Sequence, residues 1–181
     1  MIRRLIKFTL ILLPALIGVV VCTAVGKKIV DGYKLRHEAQ PPKIANGTPL
    51  PRGFLVNLDT RRDEYAKVTQ GRVLLVFVTT GCDACRKELL NLAQAAPTLK
   101  SSVQVYGVGV EEPDEVKNFV QDKHEGFPIL LDHGAQILAR LGFKYMPTKV
   151  LLQDGRVSRI WYGSSPSPAV LIKDVGEVNP N

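Results

Sequence analysis

At 181 residues the chain has room for one globular domain with a short attachment, and 45% hydrophobic with 23% charged residues excludes disordered, collagen-like and disulfide-scaffold classes. The net charge of +7 is unevenly spread. Residues 1–26 hold Arg3, Arg4 and Lys7 and no acid, which leaves 21 of the 24 basic side chains against all 17 acidic ones beyond them, a net of +4 and too dilute for a nucleic-acid surface.

The first segment is apolar. Phe8 to Val25 is an uncharged run, preceded by Arg3, Arg4 and Lys7 and followed by Lys27 and Lys28. With Leu5 and Ile6 it reaches the length of about 20 residues that spans a bilayer core, and Pro14 and Gly18 are tolerable in a membrane helix. The expectation is an uncleaved anchor over residues 1–26, in the membrane through residues 5–26. A cleaved signal peptide, with Cys22-Thr23-Ala24 as its processing site, is the nearest competitor. A lipoprotein comes last, because Val21 rather than a small residue precedes Cys22. Lys27, Lys28, Lys34 and Arg36 oppose the basic N-terminus, so the charge rule decides little about orientation. Export is the working assumption, giving a membrane-anchored protein with an extracytoplasmic domain. Residues 27–49 mix charge with Pro41-Pro42 and Asn46-Gly47 and read as a tether.

From residue 50 to 176 strands and helices alternate. Val73 to Val78 is a continuous apolar run, as a strand buried on both faces requires. Asp83 to Ala96 has helical spacing, with Leu89, Leu90, Leu92 and Ala93 apolar, Arg86, Lys87 and Glu88 polar, and Pro97 at its end. Val103 to Val110 alternates as a second strand, and Pro113 to Val120 reads as a helix with proline in its first turn. A short strand over Pro128 to Leu131 and a short helix over Gly134 to Leu141, closed by Gly142, follow. Lys149 to Leu152 and Val157 to Tyr162 flank Asp154-Gly155, a hairpin signal. Ser167-Pro168 opens a last helix to about Val175. The pattern predicts an α/β fold, a mixed sheet with helices on both faces.

Both cysteines of the domain lie in one Cys-x-x-Cys, Cys82-Asp83-Ala84-Cys85, where the first buried strand meets its helix. No other cysteine of the domain is left to build a disulfide framework. At a helix N-terminus the unpaired N–H groups and the helix dipole favour a thiolate on Cys82. Cys85, one turn along, is placed to attack a mixed disulfide formed by Cys82. The spacing reads as a redox dithiol. A zinc site normally needs four ligands, and beyond the two cysteines only His37, His124 and His133 are on offer. A soft-metal site from Cys82, Cys85 and one histidine is the alternative.

The stretch from Val73 to Leu89 resembles the active-site strand and helix of the thioredoxin superfamily, and Met146-Pro147-Thr148 resembles its cis-proline segment. The whole order from Gly71 through Cys82-Asp83-Ala84-Cys85 to Asp154-Gly155 is similar to the membrane-anchored TlpA/ResA-like (redoxin) group, over about residues 47–165. That resemblance implies a thioredoxin-like fold and thiol–disulfide exchange, with Cys82 as nucleophile and Cys85 as resolving thiol. Pro147 would set the Met146 backbone beside the dithiol, where an extended client segment can pair. Three positions depart from the family's pattern: Gly81 where tryptophan is usual, Val76 where thioredoxins carry a buried acid, and no proline between the cysteines. Asp83 places a negative charge beside a developing thiolate and opposes it, which favours a reductant over a strong oxidant.

Other charged and aromatic residues read as structural. Glu111, Glu112, Asp114 and Glu115 suit a solvated loop and a helix start, with a proton shuttle open to one of them if it folds over the dithiol. Trp161 and Tyr162 suit the core or a sheet face. A peroxiredoxin-like peroxidase shares the fold and has a threonine three residues before its cysteine, as Thr79 is here. Its motif also needs a proline where Leu75 stands. A non-enzymatic copper or zinc carrier is the other class. The expected partners are protein thiol or disulfide clients and an electron donor, with no cofactor, no nucleic acid and the chain a monomer.

Overall fold

The computed structural model describes residues 44–121 and 126–177. In chain order these form β1 (Leu55–Asn57), α1 (Tyr65–Val68), β2 (Arg72–Val78), α2 (Asp83–Leu99), β3 (Gln104–Gly109), α3 (Pro113–Val120), β4 (Ile129–Asp132), a 3-10 turn (His133–Ala135), α4 (Gln136–Leu141), β5 (Thr148–Gln153), β6 (Arg156–Tyr162) and α5 (Pro168–Gly176). One six-stranded sheet has the order β1-β4-β3-β2-β5-β6. β2, β3 and β4 are parallel, while β1, β5 and β6 each run antiparallel to their neighbours. The α/β class and the mixed sheet stand as expected.

Side-chain alternation along β2 divides the interior in two. Leu74, Val76 and Val78 point to one face, where they meet Cys85, Leu89 and Leu92 of α2, Val116 and Phe119 of α3, and Leu171 and Val175 of α5. Val73, Leu75 and Phe77 point to the other, against Val68 of α1, Ile137 and Leu141 of α4, and Phe143. A sheet covered on both faces explains why β2 is apolar without interruption. It also makes β2 the rigid base from which the dithiol projects.

Several boundaries differ from the sequence reading. Helix α2 runs through Pro97 to Leu99, and the Lys100 N–H donates to the Ala96 carbonyl beyond it. Burying Leu99 contributes roughly 1.5–3 kcal/mol. That is comparable with the ~3 kcal/mol an interior proline costs, so the last turn holds. Glu88, read as a polar position of the helix, is fully enclosed, whereas Leu90, read as apolar, is 45% exposed. The segment before α4 starts as the 3-10 turn with Gly134 and Ala135 both at positive φ, and the α-helix begins only at Gln136. Strand β1 and the single turn α1 had no sequence signal. The hairpin is as read: Asp154 and Gly155 have φ of 49° and 72°, the left-handed pair that a two-residue connection needs.

Among the described residues no helix is long and apolar enough to cross a membrane. The expected anchor and most of the expected tether lie outside the described residues.

Candidate active site

The chain leaves β2 through Thr79, Thr80 and Gly81 and enters α2 at Cys82. Gly81 has a φ of +71°, a conformation that glycine adopts without penalty, and a side chain built there would meet nothing within 4 Å. Cys82 is extended and caps the helix: its Sγ accepts from the Cys85 N–H at 3.1 Å. Sulfur here takes the place of the usual oxygen cap, so charge developing on it meets a backbone donor and the positive end of the helix dipole. Cys82 and Cys85 are joined as a disulfide, with Cα atoms 5.2 Å apart. Cys85 is wholly buried, while Cys82 is half-buried. An incoming sulfur therefore reaches Cys82 and not Cys85. The Thr79 hydroxyl, which the peroxidase reading draws on, stands 3.9 Å from the Cys85 sulfur.

Cys82 Sγ is also 4.0 Å from the carbonyl oxygen of Met146. The Met146–Pro147 peptide is cis. Thr148 Oγ1 donates to the Tyr145 carbonyl at 2.5 Å and the Gly163 N–H to the Pro147 carbonyl at 2.8 Å, which pins the segment on both sides. The fold thus brings Cys82, Cys85, Met146 and Pro147 together. Nearby, Tyr162 lies edge-on to the Tyr145 and Phe143 rings at 6.1 and 6.2 Å, and Phe143 is buried in the core on the other face of the sheet. Burial raises the Tyr162 hydroxyl pKa above its ordinary value. Trp161 packs on the core face shared with α2, and Arg159 lies 5.4 Å over its ring.

Glu111, read as part of a solvated loop, and Glu88, read as a polar helix position, are both part of this region. Glu111 Oε1 accepts from the Thr80 N–H at 2.9 Å, and its Oε2 is enclosed without a hydrogen-bond partner. The carboxylate thereby holds the turn that delivers Cys82. Glu88, one helical turn past Cys85, forms a buried ion pair with Lys149 of β5 at 3.0 Å. Its carboxylate also accepts from the Ser165 N–H at 2.5 Å and Oγ at 3.0 Å. Asn91 Nδ2 donates to the Ser165 carbonyl at 2.8 Å. Sequence reasoning missed Glu88, Lys149 and Ser165. A charged residue between Cys85 and Leu89 on the apolar stripe, and a lysine inside the apolar run after Pro147, were the available signals.

Among the described residues, no group of three or more His, Cys, Asp or Glu side chains is placed to hold a metal ion. His37 and His124 lie outside the described residues, and His133 is exposed at the start of its 3-10 turn.

A family model described as the AhpC/TSA family matches residues 46–160. The thiol–disulfide oxidoreductase ResA of Bacillus thuringiensis subsp. konkukian (strain 97-27) is 29% identical over 150 residues, which is 81% of this chain and 84% of that protein. ResA of Bacillus subtilis (strain 168) is 30% identical over 124 residues, covering 67% of this chain and 69% of its own. Among solved structures, a thioredoxin-family thiol:disulfide interchange protein of Chlorobium tepidum TLS superposes with a TM-score of 0.60 at 24% identity, over 75% of this chain and 99% of that one. StoA of Bacillus subtilis does so at 0.59 and 22%, over 71% and 99%. These two share the fold. With the family model spanning more than half of its length, the chain belongs to the AhpC/TSA family, as a thiol–disulfide oxidoreductase on a thioredoxin-like fold.

Proposed function

We propose that the chain exchanges disulfides with protein clients through Cys82 and Cys85, working as a reductant on the outer side of a membrane. The observation that carries this reading is the asymmetry of the dithiol: an accessible sulfur capping a helix, and a partner sulfur with no exposed surface. In the reducing direction the Cys82 thiolate attacks a client disulfide. A bond forms between Cys82 and one client sulfur, and the other client sulfur leaves and takes up a proton. The Cys85 thiolate then attacks Cys82 Sγ, closing the disulfide and releasing the second client thiol. The client gains two electrons and the protein loses them, to be restored by a dithiol donor. Met146 and Pro147 are the proposed docking backbone for the client's extended segment. Asp83, exposed in the first turn of α2, supports the reductant direction because its charge opposes the thiolate.

In the proposed organisation residues 1–26 anchor the protein, 27–49 tether it and 50–176 form the extracytoplasmic, monomeric domain. The test is a reduction potential, measured by equilibrating the protein with defined thiol–disulfide buffers. The expected result is a reversible two-electron couple well below the roughly −120 mV of a strong periplasmic oxidant, abolished in Cys82→Ser. A couple near that value would refute the reductant direction, and the absence of a couple would refute the reading altogether.

A further inference from the structure

On the sheet face that holds Cys85 the structure encloses two opposite charges that the exchange steps above do not use. Glu88 has no exposed surface and Lys149 is 3% exposed. Each has hydrogen bonds besides their mutual contact: Glu88 accepts from the Ser165 N–H and Oγ, and Lys149 Nζ donates to the Gly163 carbonyl at 2.6 Å and to Ser165 Oγ at 3.2 Å. Lys149 lies opposite Val76 in the β2–β5 register. Alternation along β5 puts it on the same face as Leu151, the face that Cys85 and Leu89 occupy. The buried charges on the sheet face that holds Cys85 are thus a lysine of β5 and a glutamate one turn from Cys85 on α2.

We infer that Lys149 is a positioning residue for the dithiol. It compensates the Glu88 carboxylate, so that the interior next to Cys82 and Cys85 stays electrically neutral, and it pins the Gly163–Ser165 segment against the strand that follows Pro147. This rests on the reading of Cys82 as the attacking thiol. A buried, uncompensated carboxylate opposes a nearby thiolate, and a buried, uncompensated ammonium favours it. The other charged groups around the dithiol are Asp83, Arg86 and Lys87, exposed on α2, and the half-buried Glu111 on the Thr80 amide. Water screens the three exposed ones, which leaves the enclosed pair as the stronger lever.

The test is the rate at which iodoacetamide alkylates Cys82 in the reduced full-length protein at pH 7, followed by mass spectrometry of the Cys82 peptide. Each single variant leaves the surviving charge with two hydrogen bonds of its own. Lys149→Met is expected to slow alkylation about tenfold, equivalent to one unit in the thiol's proton affinity. Glu88→Gln is expected to accelerate it, and the double variant to return to within about twofold of the parent. A prop that merely supports the fold would shift both single variants in the same direction, and that result overturns the inference. If a single variant fails to fold, the double variant remains decisive, since it removes both charges while keeping the volume. A rate about tenfold or more from the parent in that variant also overturns it. Lys149→Arg, which keeps the charge, is expected to stay near the parent rate. Fast alkylation at another cysteine with a sluggish Cys82 would instead refute the assignment of Cys82 as nucleophile, which separates the two failures.

Discussion

Cys85 has no exposed surface while Cys82 is within reach, and this difference in exposure assigns the two sulfurs different fates in the proposed exchange. Removing the buried one should stall the reaction halfway. Cys85→Ser is expected to accumulate mixed disulfides with client proteins, seen as higher-mass bands that collapse on reduction, whereas Cys82→Ser should form none. Stalled adducts on Cys82→Ser and none on Cys85→Ser would exchange the two roles. The pair itself was legible in the sequence, because two cysteines three apart at a strand–helix junction are a local pattern. Glu88 and Lys149 were not. Each is charged, and only the pairing of β5 beside β2 under α2 brings them within 3.0 Å. Burial of a charge depends on its partner, and the partner is 61 positions away in the chain.

Among the elements, the β5–β6 hairpin does more than reverse the chain. Asp154 Oδ1 accepts from the Gly71 N–H at 2.9 Å, and the Asp154 N–H donates to the Gly71 carbonyl at 2.8 Å, so the turn clamps the start of β2. The hydrogen bond from Gln153, followed by that from Gly71, lowers the Asp154 carboxyl below its ordinary 3.8. A depressed carboxyl contributes stability above the unfolded value and loses it as pH falls through the folded one. The urea midpoint should therefore fall on acidification between about pH 4 and pH 2 less steeply in Asp154→Asn than in the parent. Equal slopes would remove this role from Asp154. The hairpin was readable because Asp-Gly demands a specific turn, and β2 because a doubly covered strand is apolar throughout. β1 spans three residues and α1 four. Neither is long enough for a period to register, and both are fixed by what they pair or pack with: β1 by β4, α1 by the core face holding Val73 and Phe77.

For the whole molecule, the proposed anchor makes a fractionation experiment decisive. The full chain is expected in the membrane pellet after carbonate washing, and a version beginning at residue 27 in the supernatant. Recovery of both in the supernatant would discard the anchor. In the proposed exchange a client reaches the dithiol past Gly81, the glycine that precedes the accessible sulfur. Among the described residues, nothing lies within 4 Å of where a side chain at Gly81 would stand. On its other side the Cys82 sulfur has the Met146 carbonyl 4.0 Å away. In the proposed exchange, choice among clients falls to how they pair with the Met146–Pro147 backbone, and a contact made to backbone accepts variety in the side chains it does not touch.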